Sequence, residues 1–155
     1  MRKFKVVMIT SYFDRNGVTS QVINYATNLD KNKFQVAIAA GEPYDIGYEK
    51  MCQENNIELC KLPQKQKNAY AYYRTIYSYL KKVKADIVHV HGSSTLIAVE
   101  LFTAMLAGVP VRISHSHNTT CSHPLLHETL KPFLKVVSNC YLACGELAGK
   151  WMYGN

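Results

Sequence analysis

Residues 86–92 read DIVHVHG and residues 111–118 read VRISHSHN, and these two stretches decide the fold of the chain. Both are short runs of β-branched residues that end in polar side chains, which indicates buried strands. Between them, residues 94–107 have the spacing of a helix, closed by Gly108 and Pro110. Strand, helix and strand in this order predict adjacent parallel strands, whose carboxyl ends line a ligand crevice. We therefore expect their four histidines at one edge of a sheet.

The same alternation of apolar runs and amphipathic segments extends over the whole chain. It predicts strands at residues 5–10, 34–40, 57–62, 86–91, 111–116 and 141–144. It predicts a first helix capped by Thr19 or Ser20 and further helices at residues 48–55, 68–84, 94–107, 125–137 and 146–153, with Pro132 able to kink or divide the fifth. We expect an α/β fold, a three-layer Rossmann-like sheet of six or seven parallel strands with helices on both faces and the order 3-2-1-4-5-6.

Composition bounds the class of protein. The 155 residues suggest one domain, and 48% hydrophobic with 19% charged residues is typical of a globular protein. No apolar run approaches the roughly 20 residues of a membrane span, and Met1 leads into a strand pattern without a signal peptide. We expect a cytoplasmic protein. Its five cysteines are scattered, so we expect no disulfide framework and interpret Cys140 and Cys144 as small buried residues.

The formal net charge of +7 favours acidic partners such as nucleotide phosphates, anionic lipid or nucleic acid. No nucleic-acid-binding signature is present, so we expect no nucleic-acid partner. The helix at residues 68–84 has an expected core face of Tyr70, Tyr73, Ile76, Tyr77, Leu80 and Val83. Off that face lie Tyr72 and Tyr79, among a basic cluster of Lys61, Lys65, Lys67, Arg74, Lys81, Lys82 and Lys84. This mixture suits an anionic membrane surface, and a solvated helix face is the alternative.

The histidines form two pairs, His89 with His91 and His115 with His117, and each pair is spaced two residues apart on one strand face. Together with Cys121 and His123 they could form a metal cluster. Buried strands and the lack of an interleaved carboxylate argue against this, and we expect no metal ion. We interpret His89 and His115 as structural, and His91 and His117 as candidates for ligand contact. Two acidic residues complete the survey. Glu100 is expected on a solvated helix face, and Glu146 at the start of the last helix.

The first loop after a strand, residues 11–18, contains a single glycine, Gly17. A strand that leads into a helix presents free backbone N–H groups, which can bind a phosphate or a sugar oxygen. Gly17 would give a ligand close access to the backbone, although it could also serve only to make a turn. The motif G-x-G-x-x-G is missing, so dinucleotide binding is not supported.

At these residues the chain resembles the N-terminal domain of a family 4 glycosyltransferase, a retaining enzyme of the GT-B fold, and the exopolysaccharide and capsule branch in particular. The stretches that resemble the family are residues 16–18, 86–92, 107–118 and 144–154. Two positions depart from the family pattern. Asn16-Gly17 stands where paired glycines are usual, and Gly145 where a serine is common.

The resemblance implies two Rossmann-like domains with a site between them. Residues 1–155 would be the acceptor-side domain, and the C-terminal domain, which binds most of the nucleotide-diphosphate sugar, is absent from this chain. His117 would be the catalytic residue that faces the transferred sugar, and Asn16, Gly17 and Val18 would approach the donor phosphate. The expected acceptor pocket comprises His91, Gly92, Ser93 and Asn118, with Glu146 at a helix start. No cofactor is implied.

By the same resemblance, the acceptor would be a lipid-linked or other glycan, and the protein would act in bacterial surface polysaccharide synthesis at the inner face of the plasma membrane. The fragment alone would transfer no sugar. Two alternatives remain open, a stand-alone Rossmann-like binding module without catalysis and a metal-dependent hydrolase that uses the histidines. Coding sequence beyond Asn155 would distinguish the first alternative, and metal analysis the second.

Overall fold

Six parallel strands form one sheet in the order β3-β2-β1-β4-β5-β6 in the computed structural model, which describes residues 2–154. The strands are β1 (Phe4–Thr10), β2 (Phe34–Gly41), β3 (Glu58–Leu62), β4 (Ile87–Gly92), β5 (Val111–Ser116) and β6 (Cys140–Ala143). The helices are α1 (Gly17–Asn28), α2 (Ile46–Glu54), α3 (Ala69–Val83), α4 (Ala98–Leu106), α5 (Pro124–Val137) and α6 (Glu146–Tyr153). This confirms the predicted Rossmann-like fold and strand order.

Each face of the sheet has its own core, because successive side chains of a strand point to opposite sides. Val6 and Met8 of β1 pack with α1 and α2, whereas Val7 and Ile9 pack with α3, α4 and α5. Helices cover both faces, so the central strands are apolar throughout, as is usual for parallel sheets. Among residues 2–154, no helix is both long enough and apolar enough to cross a bilayer.

The buried face of helix α3 is rotated from the one predicted. Ile76 and Leu80 are buried as expected, and Tyr73 and Val83 pack against the core, but Tyr70 and Tyr77 are not part of it. Tyr72, Ile76, Tyr79 and Leu80 are buried, whereas Tyr70 is 75% exposed and Tyr77 39% exposed. Five tyrosines on one helix make two apolar stripes nearly equivalent in the sequence, since a tyrosine ring can be buried or lie at the surface. Contact with β3 and α4 selects between the two stripes.

Glu100 was expected on a solvated face, and this was wrong. Its side chain is only 4% exposed, and Oε1 lies 2.7 Å from Nζ of Lys65, in the loop between β3 and α3. Burial by itself lowers the pKa of Lys65, but the Glu100 carboxylate more than offsets this and leaves the pKa above its usual value. A buried carboxylate requires such a partner, and the partner is 35 residues away in the chain.

The segment between β4 and β5 is not one uniform helix. It begins with a 3₁₀ turn at Thr95–Ile97, and α4 follows from Ala98. In α5, Pro132 lies inside a helix that continues without a break from Pro124 to Val137, so the proline does not divide it.

Candidate functional site

The four histidines of β4 and β5 converge at the carboxyl edge of the sheet. His91 pairs with His115 in the strand register, and His117 follows directly after β5. The valines that alternate with His89 and His91 face α3 and α4, so the imidazoles lie on the side of α1. There Nε2 of His89 lies 3.0 Å from Nδ1 of His115, and Nδ1 of His91 lies 2.9 Å from Nε2 of His117. The predicted convergence is therefore present.

Tyr25 of α1 covers this array from the helix side. Its ring centroid is 5.8 Å from those of His89 and His115, and 6.3 Å from that of His91. Tyr25 is not among the site residues predicted from the sequence. Its position three residues after Val22, on the helix edge next to the apolar stripe, is the signal that could have found it.

Cys144 completes the array, although it was interpreted as a small buried residue. The residue is exposed, and its backbone N–H donates to the carbonyl of Ser116, which holds the end of β6 against the end of β5. Its Sγ lies 3.1 Å from Nδ1 of His117 and 3.7 Å from Nε2 of His115. Cys140, at the start of β6, is half-buried. Both ring nitrogens of His117 therefore have a neighbour, His91 on one side and Cys144 on the other.

The histidine array is electrically neutral near pH 7. Burial, reinforced by neighbouring histidines, lowers the pKa of His89 to about 3 and that of His117 to about 4. It also lowers the pKa of His91 and of His115. Partial burial raises the pKa of the Cys144 thiol. The site can therefore donate and accept hydrogen bonds, or offer lone pairs, without contributing a formal charge.

The residues of the expected acceptor pocket occupy quite different environments. His91 is buried to 1% exposure, and its Nδ1 lies 2.9 Å from Nε2 of the more exposed His117. Gly92 packs so tightly that an added methyl group would collide with Cγ2 of Ile97. The carbonyl of Ser93 accepts a hydrogen bond from Nε1 of Trp151 at 3.1 Å, whereas Asn118 is exposed. In the apo geometry, His117 and Asn118 offer more side-chain surface to a ligand than His91 does.

The loop before α1 is built around a helix cap. Oδ1 of Asn16 accepts a hydrogen bond from the backbone N–H of Thr19 at 2.9 Å, so Asn16 is the N-cap instead of the predicted Thr19 or Ser20. Asparagine is among the best capping residues, and moving the cap upstream places Gly17 and Val18 in the first helical turn. Open space surrounds the position of a Cβ at Gly17. The start of α1 therefore presents accessible backbone N–H groups at the carboxyl edge of β1.

A second histidine feature, which the sequence analysis missed, holds the far side of this edge together. His127 of α5 is fully buried, accepts a hydrogen bond from the N–H of Thr95 at 3.1 Å, and lies 3.1 Å from the carbonyl of Trp151. Its ring stacks on Trp151 at 4.3 Å between centroids. These contacts fix α6, which begins at Glu146 as predicted; the Glu146 carboxylate lies 2.7 Å from Nζ of Lys150.

Sequence comparison relates this chain to a known protein family. The model of glycosyltransferase family 4 matches residues 15–146. A protein of Bacillus subtilis named as the glycosyltransferase EpsF is 27% identical over 158 aligned residues, which cover 97% of this chain and 41% of that protein.

Two solved structures share the fold at low sequence identity. MurG of Acinetobacter baumannii superposes with a TM-score of 0.65 at 14% identity, over 92% of this chain and 42% of MurG. HepE of Anabaena, in complex with UDP and glucose, superposes with a TM-score of 0.69 at 9% identity, over 94% of this chain and 39% of HepE. The chain thus spans about two fifths of the length of these proteins. Because the family match extends over most of its residues, the chain belongs to glycosyltransferase family 4.

Proposed function

We propose that this chain is the acceptor-side half of a retaining glycosyltransferase that uses a nucleotide-diphosphate sugar and acts in bacterial surface polysaccharide synthesis. The observation that carries the proposal is the joint position of the α1 N-terminus and His117 at one sheet edge, in a chain of family 4. The carboxyl edge of a parallel sheet is where ligands bind in such folds. The B. subtilis relative is named as a glycosyltransferase, which supports sugar transfer.

The first turn of α1 is the proposed neighbour of the donor phosphates. Asn16 caps the helix with its side chain, and the open space at Gly17 leaves room for an anion beside the backbone. The positive end of the helix dipole favours such an anion. HepE, a structural neighbour, was solved with UDP-glucose, which supports a nucleotide sugar as the ligand class.

His117 is the proposed contact of the transferred sugar. Its Nε2 is held by the buried His91, while its Nδ1 faces the weakly hydrogen-bonding thiol of Cys144. Replacing this weak contact with a hydrogen bond to a sugar hydroxyl costs little free energy. Nδ1 of His117 is therefore the atom available to a ligand. The imidazole is neutral near pH 7 because its pKa is lowered to about 4, and it acts as a hydrogen-bond partner instead of a cation.

The proposed acceptor is a lipid-linked glycan, reached from the inner face of the plasma membrane. The surface of α3 supports this. Arg74, Lys81, Lys82 and Lys84 are exposed, and the exposed Tyr70 and Tyr77 accompany them. Two basic residues of the predicted cluster form ion pairs within the chain, Lys65 with Glu100 and Lys61 with Glu49. The remaining basic residues and tyrosines form a surface suited to anionic headgroups.

A turnover assay on the longer gene product, which would contain the C-terminal domain, tests this function. We expect His117→Ala to lower turnover by about 10²–10³-fold, the typical loss when a hydrogen bond to a transition state is removed. His123→Ala is the matched control, since His123 is exposed and outside the array. Wild-type turnover in a folded His117→Ala protein would refute the assignment. A gene product with no second domain would instead support the stand-alone binding module.

A further inference from the structure

We infer that His115, His117 and Cys144 form a binding site for a divalent transition-metal ion of the zinc class, with a fourth coordination position open to solvent. Each of the three side chains offers one ligand atom, a ring nitrogen or the sulfur, and these three atoms all lie within 4.8 Å of one another. This inference goes beyond the proposed sugar transfer and does not depend on it. It replaces the expectation of no metal ion. That expectation did not include a thiol beside the histidines, and the sheet places one there.

The spacing of the ligand atoms suits a tetrahedral ion. Sγ lies 3.1 Å from Nδ1 of His117 and 3.7 Å from Nε2 of His115. Bonds of about 2.3 Å to sulfur and about 2.0–2.1 Å to nitrogen place these atoms roughly 3.5 Å apart around zinc. The two observed sulfur–nitrogen distances bracket that value, so each is within a few tenths of an ångström of what a zinc ion requires.

Rigid elements hold the three ligands. His115 is in β5, His117 follows it on the same face, and their rings stack at 4.3 Å between centroids. Cys144 is tied to β5 by the hydrogen bond from its N–H to the carbonyl of Ser116 at 3.0 Å. His117 and Cys144 directly follow β5 and β6, so these strands restrict the positions of their side chains. Binding of the ion would therefore cost little free energy for ordering the ligand side chains.

The supporting shell that a metal-bound histidine requires is already present. A ligating histidine almost always donates the N–H of its other nitrogen to a partner. Here Nδ1 of His115 faces Nε2 of His89 at 3.0 Å, and Nε2 of His117 faces Nδ1 of His91 at 2.9 Å. If both outer nitrogens are the protonated ones, the two inner nitrogens direct their lone pairs at the sulfur. A cation placed between the two nitrogens and the sulfur would accept both lone pairs and bind the thiolate.

The chemistry of this donor set selects the ion. Imidazole and thiolate ligands favour zinc and related transition metals over magnesium or calcium, which prefer oxygen. A second group, His89, His91 and His115, is also close together but fully buried, and its facing nitrogens already pair within the array. Cys121 and His123 belong to neither group within the described residues 2–154. The group that contains Cys144 is the one that an ion can reach from solvent, because Cys144 is exposed.

Titration of the chain with Co²⁺, followed by its absorption spectrum, tests the site. We expect a thiolate-to-cobalt charge-transfer band, the d–d bands of a tetrahedral ion, and displacement of both by Zn²⁺. Loss of an outer-shell partner typically costs 10–100-fold in metal affinity, so we expect Cys144→Ser to cost at least about 100-fold. Cys140→Ser and Cys121→Ser, which alter the other cysteines nearest in sequence, should bind as the wild type does.

Each outcome of the cobalt titration either supports or overturns the proposed metal site. Binding of Co²⁺ that is unchanged in Cys144→Ser would overturn it, and so would the lack of any charge-transfer band in the wild type. If Cys144→Ser does not fold, as judged by circular dichroism, His117→Gln serves instead and should show the same loss. The experiment contains no sugar donor, so its outcome is separate from that of the turnover assay. If both proposals hold, Zn²⁺ and donor compete for Nδ1 of His117.

Discussion

His117 differs from the other three histidines of the sheet in its access to solvent. His89, His91 and His115 are 5%, 1% and 2% exposed, whereas His117 is only partly buried. The difference arises from strand length, because β5 ends at Ser116 and His117 is the first residue beyond it. The buried histidines therefore position His117, and His117 is the member of the array that can meet a ligand.

Alanine substitution should distinguish the structural role of Gly92 from the proposed ligand-binding role of Gly17. We expect Gly92→Ala to destabilise the chain by about 1–3 kcal/mol, because its methyl group would collide with the buried Ile97. Gly17→Ala meets open space and should leave stability unchanged or raise it by about 0.4–1 kcal/mol. Urea unfolding of both variants measures this. In the proposed two-domain enzyme, Gly17→Ala should raise the KM for donor. An unchanged KM would remove the argument for phosphate contact at Gly17.

The carboxylate of Asp86 should make the stability of the fold depend on pH, in a direction that follows from its lowered pKa. Its carboxylate accepts hydrogen bonds from the N–H of Lys5 at 2.8 Å and from Arg2 at 2.6 Å, and these hold its pKa below the usual 3.8. A carboxyl whose pKa is lower in the folded state stabilises that state above pH 3.8, and this stability is lost as the pH falls through the folded pKa.

We therefore expect Asp86→Asn to lower the free energy of unfolding by about 1–2 kcal/mol between pH 5 and pH 7. The difference from wild type should shrink below about pH 4. Urea titrations at a series of pH values check this, with Glu146→Gln as the control at an exposed carboxylate. A difference that stays constant down to pH 2 would show that the ionised form of Asp86 is not the source.

At the level of elements, α3 combines an internal and an external role. Its buried stripe closes the core against β3 and α4, and Lys65 in the preceding loop reaches Glu100 of α4. The opposite surface presents Arg74, Lys81 and Lys82 to solvent. Because the buried pair holds the loop before α3 to α4, the basic surface is presented on a fixed scaffold.

The exposed surface of α3 should bind anionic vesicles at low salt. Each lysine or arginine near such a surface contributes on the order of 1 kcal/mol, and added salt screens the attraction. We expect sedimentation with phosphatidylserine vesicles to fall in Lys81→Glu/Lys82→Glu and in high salt. Lys31→Glu/Lys33→Glu, also exposed but in the loop between α1 and β2, is the control. Equal binding to neutral vesicles would contradict an electrostatic surface.

At the level of the whole molecule, the proposed function makes the candidate site one wall of a cleft between two domains. The start of α1 and the end of β5 lie at the same sheet edge, and the chain spans about two fifths of the length of its relatives. In the proposed two-domain enzyme the opposite wall would come from the remaining length. Holding two reactants together can supply roughly 7–11 kcal/mol of a reaction barrier.

We therefore expect this chain alone to transfer no sugar, because one wall cannot hold donor and acceptor together. A donor-turnover assay of the chain beside the longer gene product checks this. The chain should remain folded by circular dichroism, since both cores lie within residues 2–154. Turnover by the chain at a rate near that of the longer protein would contradict the half-enzyme proposal.

The interior of the sheet could be predicted from the sequence, whereas contacts at the surface of the elements could not. The runs of β-branched residues within 5–10, 86–92 and 111–116 predict strands, and the alternating helices predict a doubly wound parallel sheet, whose common order 3-2-1-4-5-6 is the one observed. The position of Cys144 could not be predicted in the same way. It depends on β6 lying beside β5 in one register, in which Ser116 pairs with Ala143.

By itself, then, the sequence determined the parallel sheet, its strand order and the gathering of four histidines at its carboxyl edge, because strand periodicity and chain connectivity are local properties. Only the tertiary structure decided which stripe of α3 is buried, that Glu100 finds Lys65, and that Cys144 meets His115 and His117. Tyrosine, glutamate and cysteine tolerate both burial and exposure. Their environment therefore follows from residues distant in the chain, and packing of the whole molecule sets it.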